Sequence, residues 1–409
     1  MRNRTKIVIE ASHNLGAVPY YDWPCCLLLG NYSNPVAHVS GNHRGVLNTL
    51  EFTLTYNTLL LIVHILSMSP LSYLASLFDW IIHGPVALSN PPGSPPYPRD
   101  ALSTPYTNHS DILILPDGRK LGFSQYGSPT GRPVIFLHGM PGSRLDAAHF
   151  DDVAKELGAR VIGIDRPGIG WSTPQSNRKL LDHATDVEAV ADHLRLDNFR
   201  IMGVSAGGPY ALACAKALPP EKLLAVSIMC GFGPLEIDTS FRGYVARVIL
   251  ALVSPLIPTA IRLIFQSSPV GRIDLTDEAR LEMLLEQVVA HKPRNAAEEV
   301  ERDATIDDAG GALRAIQSCR EAFSQSFTYP GLDGQLIAKQ YGFRIQDIRK
   351  DLPFHLWYGT LDGTTPINHG RQLARLLGKR AKYHESEDTH GSLQLRYKRE
   401  AWEALLREG

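Results

Sequence analysis

The strongest chemical signal in the sequence is a serine surrounded by small residues. Ser205 lies in Gly203-Val204-Ser205-Ala206-Gly207-Gly208, directly after a short apolar run and before a stretch with helical character. This is the G-x-S-x-G pattern, in which a nucleophile occupies a tight turn between a strand and a helix, where only small neighbours fit. The N-terminus of the following helix favours developing negative charge. Ser205 is therefore the candidate nucleophile of an acyl-transfer site, and a purely structural turn is the alternative.

The candidate acid for such a site is Asp362. A serine hydroxyl needs a general base, and that base needs an acid to orient it. The expected chain order is serine, acid, histidine, and Asp362 follows the apolar run Phe354–Tyr358 by a few residues. Asp351 precedes that run, at the wrong end of the predicted strand, and Asp388 lies too close to the candidate histidine to orient it. An ordinary turn aspartate is the alternative for Asp362.

The candidate base is His390. It lies in Glu387-Asp388-Thr389-His390-Gly391-Ser392, which we predict to be a loop between the last strand and the last helix. A mobile base close to the nucleophile is expected at that place. His384, at a predicted strand end, is the alternative base, and a solvated surface histidine is the alternative without a function.

A glycine-rich segment completes the candidate site. His138-Gly139-Met140-Pro141-Gly142-Ser143-Arg144 follows the apolar run Val134–Leu137. A loop of this kind can turn a backbone N–H toward a substrate carbonyl, so we expect the N–H groups of Met140 and Ala206 to bind an oxyanion. A plain turn is the alternative. His138 itself is expected to be structural.

The elements that must position these residues begin near Asp111, where the pattern becomes regular. Two strands flanking Pro116-Asp117-Gly118-Arg119 predict a hairpin. Further strands are predicted at Val134–Leu137, Arg160–Ile164, Arg200–Val204, Leu224–Met229, Phe354–Tyr358 and Lys382–His384. Helices are predicted near residues 147–157, 181–195, 206–218, 368–377 and 393–406. Apolar strands separated by helices predict an α/β fold with a mostly parallel sheet covered on both faces, formed by residues 111–231 and 346–409.

Residues 232–345 interrupt this alternation and contain only helical patterns, which predicts an inserted all-helical cap. Its segment Tyr244–Phe265 is strongly apolar, but charged residues and prolines interrupt it, which a transmembrane helix would tolerate poorly. The apolar residues of this segment are candidates for the roof of a substrate pocket, and packing onto the sheet is the alternative role for most of them. They are Val248, Ile249, Leu252, Leu256, Ile257, Ile261 and Phe265.

The first quarter of the chain differs in kind. Residues 1–57 show no sustained periodicity and no secretory pattern, so we expect an irregular extension and a cytoplasmic location. Residues 58–84 are hydrophobic, with an amphipathic helix predicted after Ser69 and Pro70. Three placements remain open for this helix: docking on the protein itself, contact with a membrane surface, or a membrane span. Residues 85–110 form a proline-rich linker.

Composition excludes several classes of function. The chain has 409 residues, with 41 Lys and Arg against 42 Asp and Glu and a formal net charge of −1. No basic surplus is available for nucleic-acid binding. Five cysteines without a C-x-x-C pair argue against a disulfide scaffold or a structural zinc site. We expect no metal, no cofactor and no nucleic-acid partner, and a small apolar molecule as the substrate.

Residues from about 111 to 409 resemble the α/β-hydrolase fold superfamily, on the branch with a serine nucleophile and a helical cap. The resemblance rests on HGMPGSR at 138–144, DRPGIGWS at 165–172, GVSAGG at 203–208, GTLDGTTP at 359–366 and HGS at 390–392. It implies the nucleophile at Ser205, the acid at Asp362 and the base at His390. For residues 165–172 it implies a structural loop that borders the mouth of the active site.

Departures from related families restrict the chemistry. Epoxide hydrolases and haloalkane dehalogenases of similar fold carry an aspartate nucleophile, which Ser205 replaces. Proline iminopeptidases are similar but have H-G-G-P-G, in which Met140 replaces the second glycine here. The resemblance therefore implies a serine hydrolase acting on an ester, a thioester or a related carbonyl compound. The alternatives are a lyase, acyltransferase or cyclase on the same site, a peptidase of the proline iminopeptidase type, and a non-catalytic binding protein.

Overall fold

The first two strands that the structure describes are antiparallel and form a hairpin. The computed structural model describes residues 109–234 and 254–409. Strand β1 (Ser110–Ile114) pairs with β2 (Lys120–Gly127). The turn between them is closed by a hydrogen bond from Leu115 N to Arg119 O (2.8 Å), and Gly118 has the left-handed φ of 83° that favours glycine. The predicted hairpin is confirmed.

The described residues contribute eight strands to one sheet, in the order β1-β2-β4-β3-β5-β6-β7-β8. The other six strands are β3 (Arg132–Leu137), β4 (Ala159–Ile164), β5 (Phe199–Val204), β6 (Leu223–Met229), β7 (Phe354–Gly359) and β8 (Ala381–Ser386). These six run parallel, and β2 is antiparallel to β4. The mostly parallel sheet is confirmed, and the predicted strands differ from the observed ones only at their ends.

Helices cover both faces of this sheet. Five helices belong to the sheet region: α1 (Asp151–Glu156), α2 (Asp182–His193), α3 (Gly207–Ala217), α9 (Ile367–Leu377) and α10 (His390–Leu406). Side chains of β3 alternate between two apolar clusters: Ile135 belongs to the cluster that includes residues of α2, α3 and α9, and Val134 to the cluster that includes residues of α1 and α10. The predicted helix near 147–157 is a 3₁₀ helix over Arg144–Phe150 followed by the short α1.

The regular elements described between β6 and β7 are all helices, as expected. They form α4 (Ile257–Gln266), α5 (Asp277–Ala290), α6 (Ala296–Asp307), α7 (Ala309–Phe323) and α8 (Thr328–Ile337). Thr276 caps α5 by accepting a hydrogen bond from Ala279 N. We call these five helices the insertion. Residues 235–253 lie outside the described part, and the domain boundaries given by the sequence remain predictions.

The expectations for the first quarter of the chain fall on residues that the structure does not describe. These are the irregular extension over 1–57, the hydrophobic segment over 58–84 and nearly all of the linker over 85–110. Within residues 109–234 and 254–409, no helix has the length and apolar character needed to cross a membrane.

Candidate active site

Ser205 lies in a tight turn at the carboxyl end of a central strand. Strand β5 ends at Val204 and α3 begins at Gly207, so only Ser205 and Ala206 connect them. Ser205 has φ of 52°, a left-handed conformation that is unusual for a residue other than glycine and is found at functional sites. Its backbone N donates to Met229 O (2.9 Å), and its carbonyl accepts from Gly208 N (2.9 Å). The serine is therefore held by backbone bonds to the neighbouring strand and to its own helix.

The small residues around Ser205 are required because backbone segments approach them closely. A Cβ atom on Gly203 would lie 2.7 Å from Gly207 O, and a Cβ on Gly207 would lie 2.0 Å from Leu137 O. A Cβ on Gly208 would lie 2.8 Å from the Cα of Gly231. These contacts are with backbone atoms, which cannot rotate away as a side chain can. The turn is packed between the end of β3 and the segment that follows β6.

Asp362 and His390 meet at the carboxyl ends of the parallel strands, the end of the sheet at which Ser205 lies. Asp362 lies in the turn after β7, and its Oδ1 accepts hydrogen bonds from Thr364 N and Thr365 N, both at 2.8 Å. Its Oδ2 lies 2.7 Å from Nδ1 of His390. Both residues are buried, with exposures of 7% and 3%. The carboxylate is thus fixed by two backbone donors and accepts the Nδ1 proton of the imidazole.

His390 is the first residue of α10, whereas the sequence predicted a loop there, and that prediction is wrong. Thr389 is the N-cap: its Oγ1 accepts from Ser392 N (3.2 Å), and Ser392 Oγ accepts from Thr389 N (2.9 Å). This reciprocal pair is a capping box, and the Thr-x-x-Ser spacing was the signal that could have revealed the helix start. The cap fixes the backbone that carries the imidazole.

The charge state of His390 depends on two opposing effects. Burial favours the neutral imidazole, but the Asp362 carboxylate outweighs it and holds the pKa of His390 well above its usual value of 6.5. Cys230 also contacts this imidazole. Burial raises the pKa of the Cys230 thiol, so we take the sulfur as neutral and the carboxylate as the cause of the shift.

The segment after β3 passes directly beside the serine. A Cβ built on Gly139 would lie 3.6 Å from the Cβ of Ser205, which is ordinary van der Waals distance. The neighbouring Met140 is partly buried, and its side chain packs against both the sheet core and the insertion cluster that contains Ile261. Ala206 adjoins the N-terminus of α3 with helical dihedral angles. Both backbones proposed as oxyanion donors therefore flank Ser205 in sequence or in space.

The family model described as the α/β hydrolase fold matches residues 132–394 of this chain, a range that includes every residue of this arrangement. The chain belongs to the α/β hydrolase fold family.

Named relatives of this α/β hydrolase are proline iminopeptidases. It is 38% identical over 119 residues to the proline iminopeptidase of Xanthomonas citri, covering 27% of this chain and 36% of that protein. It is 26% identical over 291 residues to a putative proline iminopeptidase of Mycoplasma pneumoniae, covering 66% and 87%. The match to the first curated relatives spans about a third of their length. A carboxylesterase structure from Nitrososphaera gargenis has a TM-score of 0.50 at 13% identity, covering 73% of this chain and 97% of that one, which reflects a shared fold.

The rival acids and the rival base of the α/β hydrolase lie in other surroundings. Asp351 is exposed and pairs with Arg349. Asp388 accepts from Ser392 Oγ (2.7 Å) and Arg396 Nη1 (3.0 Å), at the start of α10. His384 stacks on the Trp357 ring with centroids 3.8 Å apart. Among the described residues, Asp362 and His390 are the carboxylate and imidazole that a hydrogen bond joins at the carboxyl ends of the parallel strands, the end at which Ser205 follows β5.

Cys230 is a neighbour of the site that the sequence does not predict. It follows β6, has φ of 44° and is fully buried. Its sulfur lies within 4.8 Å of a ring nitrogen of His390, and the residue before it, Met229, accepts the hydrogen bond from Ser205 N. No sequence motif marks it, although its place after a strand adjacent to β5 was a usable signal.

Cys230, Asp362 and His390 also form a set of ligand types that zinc accepts, with ligand atoms within 4.8 Å of one another. However, Nδ1 of His390 and Oδ2 of Asp362 are 2.7 Å apart. Two ligand atoms on one tetrahedral zinc ion are about 3.3 Å apart, as follows from bond lengths of about 2.0–2.1 Å. These two atoms are therefore spaced as a hydrogen-bonded pair and would have to separate to share an ion.

Proposed function

We propose that this α/β hydrolase is a serine hydrolase that cleaves an ester, a thioester or a related carbonyl compound of small, apolar character. The observation that carries the proposal is the 2.7 Å bond between His390 Nδ1 and Asp362 Oδ2, formed across 28 residues of sequence. It lies at the sheet edge where Ser205 occupies its strained turn. Cys230 supports the closeness of Ser205 and His390, because its sulfur lies within 4.8 Å of a His390 ring nitrogen and the preceding residue, Met229, accepts from Ser205 N.

The hydrogen bond between His390 and Asp362 determines which atom of His390 can accept a proton in the proposed reaction. Because Nδ1 of His390 donates to Asp362, its Nε2 is the nitrogen that accepts the Ser205 hydroxyl proton during attack. The imidazolium formed is stabilised by the buried carboxylate and then gives its proton to the leaving group. Water then attacks the acyl-enzyme. His390 takes a proton from this water and gives it to Ser205 Oγ as the acid product leaves.

The negative charge that develops on the carbonyl oxygen requires donors fixed in advance. We assign this role to the backbone N–H groups of Met140 and Ala206, which flank Ser205. One such donor contributes roughly 10²–10³-fold to kcat in enzymes of this kind. The loop after β3 supplies the first donor, and the N-terminal end of α3 supplies the second, with the dipole of that helix aligned favourably.

An apolar cluster in the insertion supports the choice of an apolar substrate. Ile261, Phe265, Phe323 and Phe327 are buried together, and Met140 packs against them. Ile257, also proposed as a roof residue, is partly buried against the same cluster. Leu256, the N-cap of α4, is 57% exposed, so its assignment to an inner roof is wrong, because a residue at the helix end is not covered by this cluster. Val248, Ile249 and Leu252 lie outside the described residues.

A peptidase of the proline iminopeptidase type is the second candidate. The relatives named above favour it, whereas Met140 in place of the second glycine of H-G-G-P-G does not. Paired assays separate the two, with a p-nitrophenyl ester series against L-proline p-nitroanilide. The proposed function predicts that kcat/KM for the better ester exceeds that for the anilide. The reverse order would assign the peptidase.

Hydrolysis is separated from lyase, acyltransferase or cyclase chemistry by turnover in H₂¹⁸O, since only hydrolysis places the labelled oxygen in the acid product. His390→Ala should abolish turnover, and the matched control His384→Ala should retain it because His384 stacks on Trp357. Equal loss in the two variants would contradict the assignment of the base. No turnover of any carbonyl substrate would favour the binding protein.

A further inference from the structure

The loop that carries Met140 is held from behind by one buried arginine. Arg166 follows β4 and is 2% exposed. Its Nη1 donates to His138 O (2.6 Å), and its Nη2 donates to Gly139 O (2.8 Å). The guanidinium also lies over the Tyr210 ring, 4.9 Å from the centroid. One rigid, planar group thus binds two consecutive carbonyls of the loop beside Ser205.

These two carbonyls determine where the following N–H groups point. A trans peptide is planar, so the N–H of each unit points opposite to its C=O. The carbonyl of His138 belongs to the unit that ends in Gly139 N–H, and the carbonyl of Gly139 to the unit that ends in Met140 N–H. Because Arg166 fixes both carbonyls on its own side, both N–H groups are turned to the side away from Arg166.

His138 donates a second hydrogen bond to the Gly139 carbonyl that Arg166 also binds. Burial, followed by the nearby Arg166 charge, holds the pKa of His138 well below its usual range, so the ring is neutral. Its Nδ1 lies 2.9 Å from Gly139 O, and since a carbonyl only accepts, Nδ1 carries the proton. Gly139 O therefore receives two hydrogen bonds. The structural role expected for His138 is consistent with this contact.

The opposite side of Arg166 is anchored in the insertion. Its Nε donates to Oδ2 of Asp333, a fully buried residue of α8. Oδ1 of Asp333 accepts from Arg178 Nη2 and from the Tyr210 hydroxyl. Burial alone would raise the pKa of Asp333, but the two guanidinium groups outweigh it and lower that pKa. Asp333 is thus ionised and satisfied on both oxygens.

We propose that Arg166 is a positioning residue for the oxyanion site, holding the Gly139 and Met140 N–H groups in place, and that Asp333 makes this hold depend on the insertion. The proposal rests on the proposed function. It gives residues 165–172 a part in catalysis beyond the structural role that the resemblance implied. Arg166 acts through the loop and touches no reacting atom.

The structure offers a matched pair of substitutions for the test. Arg166→Met and Arg178→Met each remove one guanidinium from Asp333 and leave the other arginine and Tyr210 in place. Both variants therefore keep a compensated buried carboxylate, and Arg166→Met should lose more stability because it also removes a donor from two loop carbonyls. Only Arg166 contacts the loop carbonyls. Arg166→Lys, which keeps the charge but cannot bind two carbonyls and Asp333 together, serves if the Met variant does not fold.

The first measurement is hydrogen exchange of the peptide containing residues 137–142 in the full-length protein. Faster exchange in the Arg166 variants than in Arg178→Met is expected, because the loop loses its anchor only in the former. Equal exchange would overturn the proposal whatever the enzyme's activity. This measurement does not depend on the proposed reaction.

The second measurement is steady-state ester hydrolysis by the same variants. Arg166→Met should lower kcat about 10²-fold and change KM by less than about threefold, since a misplaced donor acts on the transition state. Arg166→Lys should lose about tenfold, and Arg178→Met less than about threefold. Binding of a trifluoromethyl ketone, which forms an oxyanion on Ser205, should weaken in parallel with kcat.

Two failures are distinguishable. If Arg178→Met loses as much kcat as Arg166→Met, the network serves the structure alone and the positioning role is wrong. If instead Ser205→Ala retains wild-type turnover, the proposed function fails, while the exchange result still reports whether Arg166 orders the loop.

Discussion

Asp362→Asn tests the geometry around the proposed base because the structure dictates what the new amide must do. Oδ1 of Asp362 accepts two backbone N–H bonds at 2.8 Å, from Thr364 and Thr365. An asparagine must place its carbonyl oxygen there, since an NH₂ group facing two N–H donors would leave all of them unsatisfied. Its NH₂ then faces Nδ1 of His390, 2.7 Å away in the parent protein.

This orientation reverses the tautomer of the imidazole. With a donor opposite, Nδ1 must accept, so the proton moves to Nε2, which can then no longer take the Ser205 proton. The same substitution in a serine protease triad lowers kcat about 10⁴-fold without changing the geometry. We expect a loss of about that size here, with the midpoint of thermal unfolding changed by only a few degrees because both backbone bonds are kept.

The assay is steady-state hydrolysis of a p-nitrophenyl ester at pH 7.5, with thermal unfolding measured on the same samples. Asp351→Asn is the matched control, since that carboxylate is exposed and pairs with Arg349; its turnover should equal that of the parent. Asp362→Asn retaining more than a tenth of the parent kcat while folded would refute the assignment of the acid.

Three further predictions follow from the same geometry. Because the base must be neutral and Asp362 raises the pKa of His390, kcat/KM should fall as the pH is lowered through a value above 6.5; an acidic limb centred below 6 would contradict this. Gly207→Ala should lower the free energy of unfolding by about 1–3 kcal/mol, since its Cβ would lie 2.0 Å from Leu137 O. The control Gly310→Ala, whose Cβ would have its nearest neighbour at 3.4 Å, should leave this free energy unchanged or raise it. Urea titration of both variants measures the two changes. In an ester series, kcat/KM should rise about fourfold per methylene up to medium chain length and then fall, as about 0.8 kcal/mol per buried CH₂ requires; a flat profile would refute apolar recognition.

Much of the sheet could be predicted because its signals are local. The strands of the parallel part are short apolar runs bounded by turns, and burial on both faces explains why they do not alternate with polar residues. The turn at Ser205 was predictable because its glycines are required by close backbone contacts. The candidate acid and base followed from chain order and from their positions after strands.

Other features were missed, either because their local signal is weak or because they depend on contacts between distant segments. The start of α10 was placed three residues late, since its cap uses serine where glutamate or glutamine is usual. Cys230 enters the site only because β6 lies beside β5. The ion pair of Arg166 and Asp333 joins residues 167 positions apart in the sequence. No sequence pattern relates an arginine to an aspartate over that separation.

The most direct test of the central claim is the mass of the peptide that contains Ser205 after reaction with a fluorophosphonate. An activated serine reacts with this probe, and an ordinary one does not. We predict a single adduct on Ser205, labelling abolished in Ser205→Ala, and labelling strongly slowed in His390→Ala. An adduct on another residue, or full labelling of Ser205→Ala, would contradict the assignment of Ser205 as the nucleophile.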